Sequence, residues 1–294
     1  MLGRSGLTTK ELLWKFEAFR EYVSFEVLQP AAAVLNLFEG EFISESNPQI
    51  KKLERLLVER TGRNSWKPNR SGTPDLNWNS EGDFTRNKER LLTSMLIMYP
   101  KEFEDGYLRL TDFGKALATG RVSKESFYEF IVRNFHYPHP AYQDNWNNWR
   151  ESGRELYPFV FIIQVLIELY NIGREQCYLT VKEAEFILVP ASDHRLVGNI
   201  VHEIIGSRRA DSFKSIKSQG DKITRKITDI FGFLCISGYA CYLNNNDISL
   251  NLHGVHSEEL THFYFQRNPQ SKLKQNRMEY LQSLVSKIKA LEGK

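Results

Sequence analysis

The stretch from Ser207 to Leu252, SRRADSFKSIKSQGDKITRKITDIFGFLCISGYACYLNNNDISLNL, decides how this chain is read. Between Ser207 and Lys226 stand Arg208, Arg209, Lys214, Lys217, Lys222, Arg225 and Lys226, against only Asp211 and Asp221. The formal net charge of the whole chain is +3, so the rest is slightly acidic and the positive charge is concentrated. Ile223, Ile227, Ile230, Phe231 and Leu234 recur at helical spacing and predict an apolar stripe. At about 3.6 residues per turn, the opposite face presents Ser218, Asp221, Lys222 and Arg225. Alternation by two follows, with Tyr239, Cys241 and Leu243 on one run and Ile248, Leu250 and Leu252 on the next. Asn244-Asn245-Asn246-Asp247 joins the runs, and Asn and Asp tolerate the left-handed backbone of tight hairpin turns.

A polar, basic helix followed at once by a β-hairpin is the layout of a winged helix, in which the helix enters the major groove and the hairpin leans on the backbone. A solvated amphipathic helix beside a surface hairpin would show the same pattern, so the rest of the chain has to decide. With 294 residues it suits two domains of ordinary size. At 41% hydrophobic and 13% aromatic it can bury a substantial core, which excludes a low-complexity or disordered protein. No apolar run reaches the ~18 residues of a membrane span and no secretory pattern opens the chain, so no membrane partner is expected. Three cysteines without regular spacing point to a reducing cytoplasm and no disulfide framework.

Taken in order, residues 1–120 predict a first winged-helix subdomain with an N-terminal arm, in which Arg4 could lie in a groove. Leu12, Leu13, Phe16, Phe19 and Val23 predict a helix limited by Pro30, and Ala31 to Phe38 a second, short one. Asn47-Pro48 opens a third, with Ile50, Leu53, Leu56 and Leu57 inward, ending near Gly62. Arg63, Asn64, Lys67, Asn69 and Arg70, with Trp66 and Trp78 nearby, lie in a long loop whose residue types suit phosphates and base edges. A second helix-plus-hairpin follows. Phe84, Leu91, Leu92, Met95, Met98 and Tyr99 are read as inward, and Arg86, Glu89, Arg90 and Thr93 as outward. Glu104-Asp105-Gly106 is a turn signal, and Thr111 caps a short helix that Gly120 closes.

Residues 121–155 are read as a connector, and 156–266 as a second winged-helix subdomain that opens on a nearly all-apolar helix. Thr180 caps another helix, and Val197 to Ile205 predicts the one before the basic stretch. Residues 267–294 are expected to form a charged linker helix with no further core to close. The fold class expected is mainly α with small β-hairpins (α+β), as tandem winged-helix subdomains.

Catalytic patterns are incomplete. A metal-dependent nuclease needs clustered acids and a lysine to hold Mg²⁺ and activate water. Pro74-Asp75 supplies a first half, but Glu81, Asp83 and Glu89 have no lysine two residues later. Cys235 and Cys241 have no second cysteine pair, so a zinc site is not supported. His253 and His256, near the hairpin, read as surface residues. No phosphate-binding glycine loop, nucleophile elbow or dinucleotide fingerprint is present.

Two segments then carry a resemblance. One runs from Phe84-Thr85-Arg86 into Glu104-Asp105-Gly106-Tyr107-Leu108-Arg109-Leu110-Thr111-Asp112-Phe113-Gly114-Lys115-Ala116-Leu117. The other runs from Tyr157-Pro158-Phe159-Val160-Phe161, through the helix near Thr180, to the wing at Leu243 to Leu252. Both resemble the DNA-recognition region of type IIS restriction endonucleases of the FokI and AlwI-like kind. That resemblance implies a non-catalytic recognition part of a modular bacterial, cytoplasmic enzyme, reading an asymmetric site in double-stranded DNA. It needs no cofactor for binding, with Mg²⁺ expected only for a separate nuclease domain, and the part alone is expected to be a monomer. The linker helix would lead towards that nuclease.

Within this reading, phosphate contacts are expected from Lys67, Arg109, Arg208, Lys214 and Lys226. Guanine contacts are expected from Arg86, Arg90, Arg209, Lys222 and Arg225, and cytosine contacts from Glu89 and Asp221. Thr85, Asn87, Asp211, Lys217, Ser218 and Gln219 complete the expected interface. The alternatives from other classes are a complete Mg²⁺-dependent endonuclease using Asp75 and nearby acids, and a winged-helix transcription or interaction protein.

Overall fold

The computed structural model describes residues 14, 16, 22–44, 46–62, 89–191, 193–213, 221–244, 246–260 and 276–290. The helices are α1 (Phe25–Asn36), α2 (Pro48–Thr61), α3 (Glu89–Ser94), α4 (Asp112–Ala118), α5 (Lys124–Asn134), α6 (Gln143–Glu151), α7 (Pro158–Ile172), α8 (Val181–Glu183), α9 (Val197–Arg209) and α10 (Asp221–Ile236). The strands β1 (Ala240–Tyr242) and β2 (Ile248–Leu250) follow, then α11 (Ser257–Leu260) and α12 (Arg277–Val285). Helices with one antiparallel two-stranded sheet among the described residues make this the mainly helical α+β class expected. The chain divides into an N-terminal unit, residues 21–130 with 276–294, and a C-terminal unit, residues 131–275 with 1–20.

In the N-terminal unit the expected break at Pro30 does not occur, because α1 runs straight through it. An interior proline loses one backbone donor and costs about 3 kcal/mol. Val27, Leu28, Ala31, Ala32, Val34 and Leu35 are all buried on this helix. At roughly 1.5–3 kcal/mol for each large aliphatic side chain removed from water, their burial outweighs the lost bond. The next helix, α2, starts and stops where its sequence predicts. Asn47 Oδ1 accepts the Gln49 N–H at 2.9 Å, and Gly62 ends the helix at φ +63°.

The turn signal at Glu104-Asp105-Gly106 is also observed. Asp105 and Gly106 have φ of +52° and +86°, and the Tyr107 N–H returns to the Glu104 carbonyl at 2.8 Å. Two consecutive positive φ values match the twist of a hairpin. Here the hairpin amounts to single bridges, Met98 to Leu110 and Tyr107 to Phe42. Thr111 then caps α4, its Oγ1 accepting the Gly114 N–H at 2.9 Å. A Cβ on Gly114 would sit 1.9 Å from the Ile97 carbonyl oxygen, so only glycine lets these backbones meet.

The C-terminal segment is not a bare connector. Tyr280, Leu281, Leu284, Val285 and Ile288 are all buried, and the turn after α12 packs on α4 within the N-terminal unit. Sequence reading sees the amphipathic spacing but cannot see which core receives it.

The C-terminal unit is built around α7, whose Phe159 through Ile163, Val165, Leu166 and Leu169 are all buried, as its all-apolar sequence requires. Phe16 packs edge-on against Phe135, Phe159 and Phe233, with centroids 5.1–5.6 Å apart. The stripe expected on α10 is inward: Ile227, Ile230, Phe231 and Leu234 are buried, with Ile223 half-buried at its start. The hairpin pairs Ala240 with Leu250, Cys241 with Ser249 and Tyr242 with Ile248. The expected alternation does not hold along β1, since Ala240 is buried while Cys241, Tyr242 and Leu243 are all exposed. Ala240 lies opposite the buried Leu250 and shares its face, whereas Tyr242, opposite the buried Ile248, remains exposed. Leu179 adds a further bridge to Ile248, through N–H to carbonyl bonds of 2.8 and 3.0 Å.

Candidate nucleic-acid interface

The basic stretch enters the C-terminal unit through α9 and leaves it through α10. Arg209, the last residue of α9, is exposed, and so is Asp211 just beyond it at φ +50°. Asp221 and Lys222 open α10. Arg225 is exposed one turn further on, and Lys226 is half-buried at the edge of the same face. The helix therefore presents Arg225 to solvent beside the hairpin while its apolar face is sealed, as its periodicity predicts.

Arg208 does not belong with them. Its Nε donates to Glu183 Oε1 at 2.7 Å. Its Nη1 donates to the Gln176 carbonyl at 2.8 Å and to Gln176 Oε1 at 3.1 Å. Its Nη2 donates to the Tyr178 carbonyl at 2.6 Å and to Glu183 Oε2 at 3.1 Å. The guanidinium also lies 3.7 Å from the Tyr178 ring centroid. All five donors are committed and the side chain is only 12% exposed, so the expected phosphate contact is replaced by a structural one. Glu183 in turn closes the capping box at Thr180 that starts α8.

In the N-terminal unit, Arg90 is exposed and Arg109 is about half-exposed, with its Nε 3.9 Å from Glu104. Both can reach a polyanion. Glu89 cannot serve as an outward reader: it is 8% exposed and pairs with the Lys101 ammonium at 3.4 Å. Burial pushes its carboxyl above the usual carboxylate range, and Lys101 opposes that shift. Thr93, also expected outward, is buried with its hydroxyl donating to the Arg90 carbonyl at 3.1 Å. Glu89, Leu91, Leu92, Thr93 and Ser94 are all buried, so core packing covers most of the described part of α3.

Arg4, Arg63, Asn64, Lys67, Asn69, Arg70, Thr85, Arg86, Asn87, Lys214, Lys217, Ser218 and Gln219 lie outside the described residues, as does Asp75. Among the described residues no group of three or more His, Cys, Asp or Glu side chains could hold a metal, and no helix is long and apolar enough to cross a membrane. The three cysteines are free thiols, and burial pushes that of Cys235 up to about 12. His253 is exposed as expected, but His256 is buried. Its ring stacks on Tyr239 with centroids 4.0 Å apart, and its Nδ1 lies 3.2 Å from Glu259 Oε2. The wide, flat Tyr239 ring immediately before the hairpin gives a nearby imidazole a surface to cover, which polarity alone does not reveal.

One group went unnoticed in the sequence. Lys182, the second residue of α8, donates from Nζ to the Phe213 carbonyl at 2.9 Å. It lines an open cleft of about 580 Å³ with Ser207, Ser212, Thr224, Asn244 and Asn246. The capping box at Thr180 was the available signal, because a fixed helix start also fixes where the next two side chains project.

No family model matches the chain, and no curated protein matches it in sequence. In three dimensions it is similar to the BpuJ1 endonuclease binding domain, solved in complex with pyrene- and phenanthrene-modified DNA. The TM-score is 0.59, over 88% of this chain and 91% of that one. This chain shares that domain's fold. At 13% identity the two sequences differ at most positions, so the likeness is one of fold.

Proposed function

We propose that this chain is a sequence-specific double-stranded DNA-binding module, the non-catalytic recognition part of a type IIS restriction endonuclease. One observation carries the reading: nearly the whole chain shares the fold of an endonuclease binding domain that was crystallised with DNA. The exposed Arg225 on α10, followed in the chain by a hairpin, supports it, because the pairing suits a winged-helix mode with the helix in the major groove and the hairpin on the backbone. Arg225 would read guanine, Arg209 and Arg90 would lie at the groove, and Lys226 and Arg109 would hold phosphates. Binding would need no cofactor, and Mg²⁺ would act only in a separate nuclease domain.

Selection of binding sites from random duplexes with the purified chain is the direct test, and one short asymmetric sequence should emerge. Incubation of the same chain with plasmid and Mg²⁺ should leave the plasmid uncut. Specific cleavage would instead favour a complete nuclease using Asp75. An absence of salt-dependent DNA binding would favour a protein-interaction scaffold. Arg225→Ala should cost ~1–3 kcal/mol on the selected site and relax preference at one base pair. Lys226→Ala should weaken all sequences about equally.

A further inference from the structure

We propose that α2 lies against the DNA backbone, with Lys51, Lys52 and Arg55 on its outer face holding phosphates. The inference rests on the DNA-binding reading above and gives the N-terminal unit a contact of its own. The described part of α3 exposes a single cation there, Arg90. The outer face of α2 is set by what packs behind it. Ile50, Leu53 and Leu57 are buried, and the helix packs on α1. At about 3.6 residues per turn the opposite side carries Pro48, Lys51, Lys52, Arg55 and Glu59, all exposed.

Other cations of this unit are matched. Lys101, Lys115, Lys124 and Arg277 each stand within 3.4 Å of a carboxylate. Lys51, Lys52 and Arg55 have no ion pair among the described residues. Their placement also works against the helix. Lys51 and Arg55 are like charges one turn apart, which destabilises a helix. Lys51 closes the first turn and Lys52 opens the second, near a partial positive charge that favours acids, and no acid stands in the first turn. Cations that folding disfavours at these positions are well placed for a polyanion, because the helix N-terminus adds its charge to theirs. Lys51 and Arg55 are about 6 Å apart along the axis, so the stripe suits neighbouring phosphates of one strand. Acids bound it. Glu59 lies on the same face one turn beyond Arg55 and ends the stripe there. Glu54 is half-buried on the flank with a contact of its own, and Glu41, before the helix, accepts from Asn47 Nδ2 at 3.4 Å. The phosphates therefore lie over the first two turns. No large apolar side chain interrupts the outer face, which favours a phosphate backbone over a protein partner, whose contact would centre on apolar groups.

The test measures affinity across a range of salt, for the selected duplex and for a duplex of arbitrary sequence. It compares wild type with a triple variant that combines Lys51→Gln, Lys52→Gln and Arg55→Gln. The triple variant should bind both duplexes about 10- to 100-fold more weakly at low salt, with the salt slope lowered by about two to three ions. Glu59→Gln should tighten both by up to about 3-fold, and this gain keeps the test decisive if the triple variant folds poorly. Lys124→Gln removes a paired cation of the same unit and should change affinity by less than about 2-fold. Equal thermal midpoints would show that the variants fold alike. A loss in Lys124→Gln as large as in the triple variant would assign the effect to overall charge and overturn the proposal. A loss confined to the selected duplex would make these residues base readers and overturn it equally, as would weaker binding by Glu59→Gln. Binding by wild type with the triple variant unaffected sinks this inference alone, whereas a wild type that binds no duplex sinks the DNA-binding reading with it.

Discussion

The two units repeat one order of elements and finish it differently. Each runs from a helix to an extended bridging residue, then through further helices to a hairpin whose second strand returns to that bridge. In the C-terminal unit the bridge joins Leu179 to Ile248, and both are fully buried beneath a hairpin that packs on α7. In the N-terminal unit it joins Phe42 to Tyr107, whose rings meet edge-on at 5.4 Å while 48% and 44% exposed. The arginines differ in the same way. Arg208 is sealed into a network of hydrogen bonds, and Arg109 lies loosely beside Glu104. A shared local hydrogen-bonding pattern therefore does not fix whether a bridge is core or surface. The layer behind it does.

The largest expected effect separates the two arginines. Arg208→Ala leaves Glu183 buried without its partner and should cost about 3–5 kcal/mol in a denaturant titration. Arg109→Ala should fall within the ~0–1 kcal/mol of an exposed pair. Equal losses would break the contrast drawn here. Next in size, Leu281→Ala should cost about 2–5 kcal/mol, because that side chain is 1% exposed within the N-terminal unit. A value near zero would return residues 276–290 to the role of bare connector.

Gly114→Ala should cost about 1–3 kcal/mol or more, since its Cβ would collide with the Ile97 carbonyl and force α4 away. The glycines at positions 198 and 206 of the C-terminal unit meet nothing within 4 Å and should accept alanine without that cost. The smallest effect concerns Glu89. Its carboxyl titrates above the usual range when folded, so the folded state holds its proton more tightly than the unfolded state does. Stability from this group should rise as pH falls through the folded pKa. Glu89→Gln should remove that part of the pH dependence, read as thermal midpoint against pH, with little change in stability at neutral pH.

Much of the fold was legible residue by residue. Asn47 and Gly62 bracket α2, Thr111 starts α4, Asp105-Gly106 makes the turn, and α7 reads as buried on most sides. These are local statements, settled by a cap, a positive φ or a spacing within a few residues. The candidate interface was legible only in part. Arg225 and Arg209 are exposed, as charge and periodicity imply, whereas Arg208 and Glu89 were read as outward and are not.

What the sequence by itself determined is therefore where α2, α4 and the turn at Glu104 to Tyr107 are placed, and that the positive charge gathers between Ser207 and Lys226. Only the tertiary structure decided which of those charges are available. Whether an arginine faces solvent or spends its five donors internally depends on groups far along the chain, such as Glu183 and the Gln176 carbonyl for Arg208. The same holds for the burial of Ala240 in β1, the path of α1 through Pro30 and the seat of α12. In each case burial against a distant partner outweighed the local preference, and no spacing within the chain names that partner.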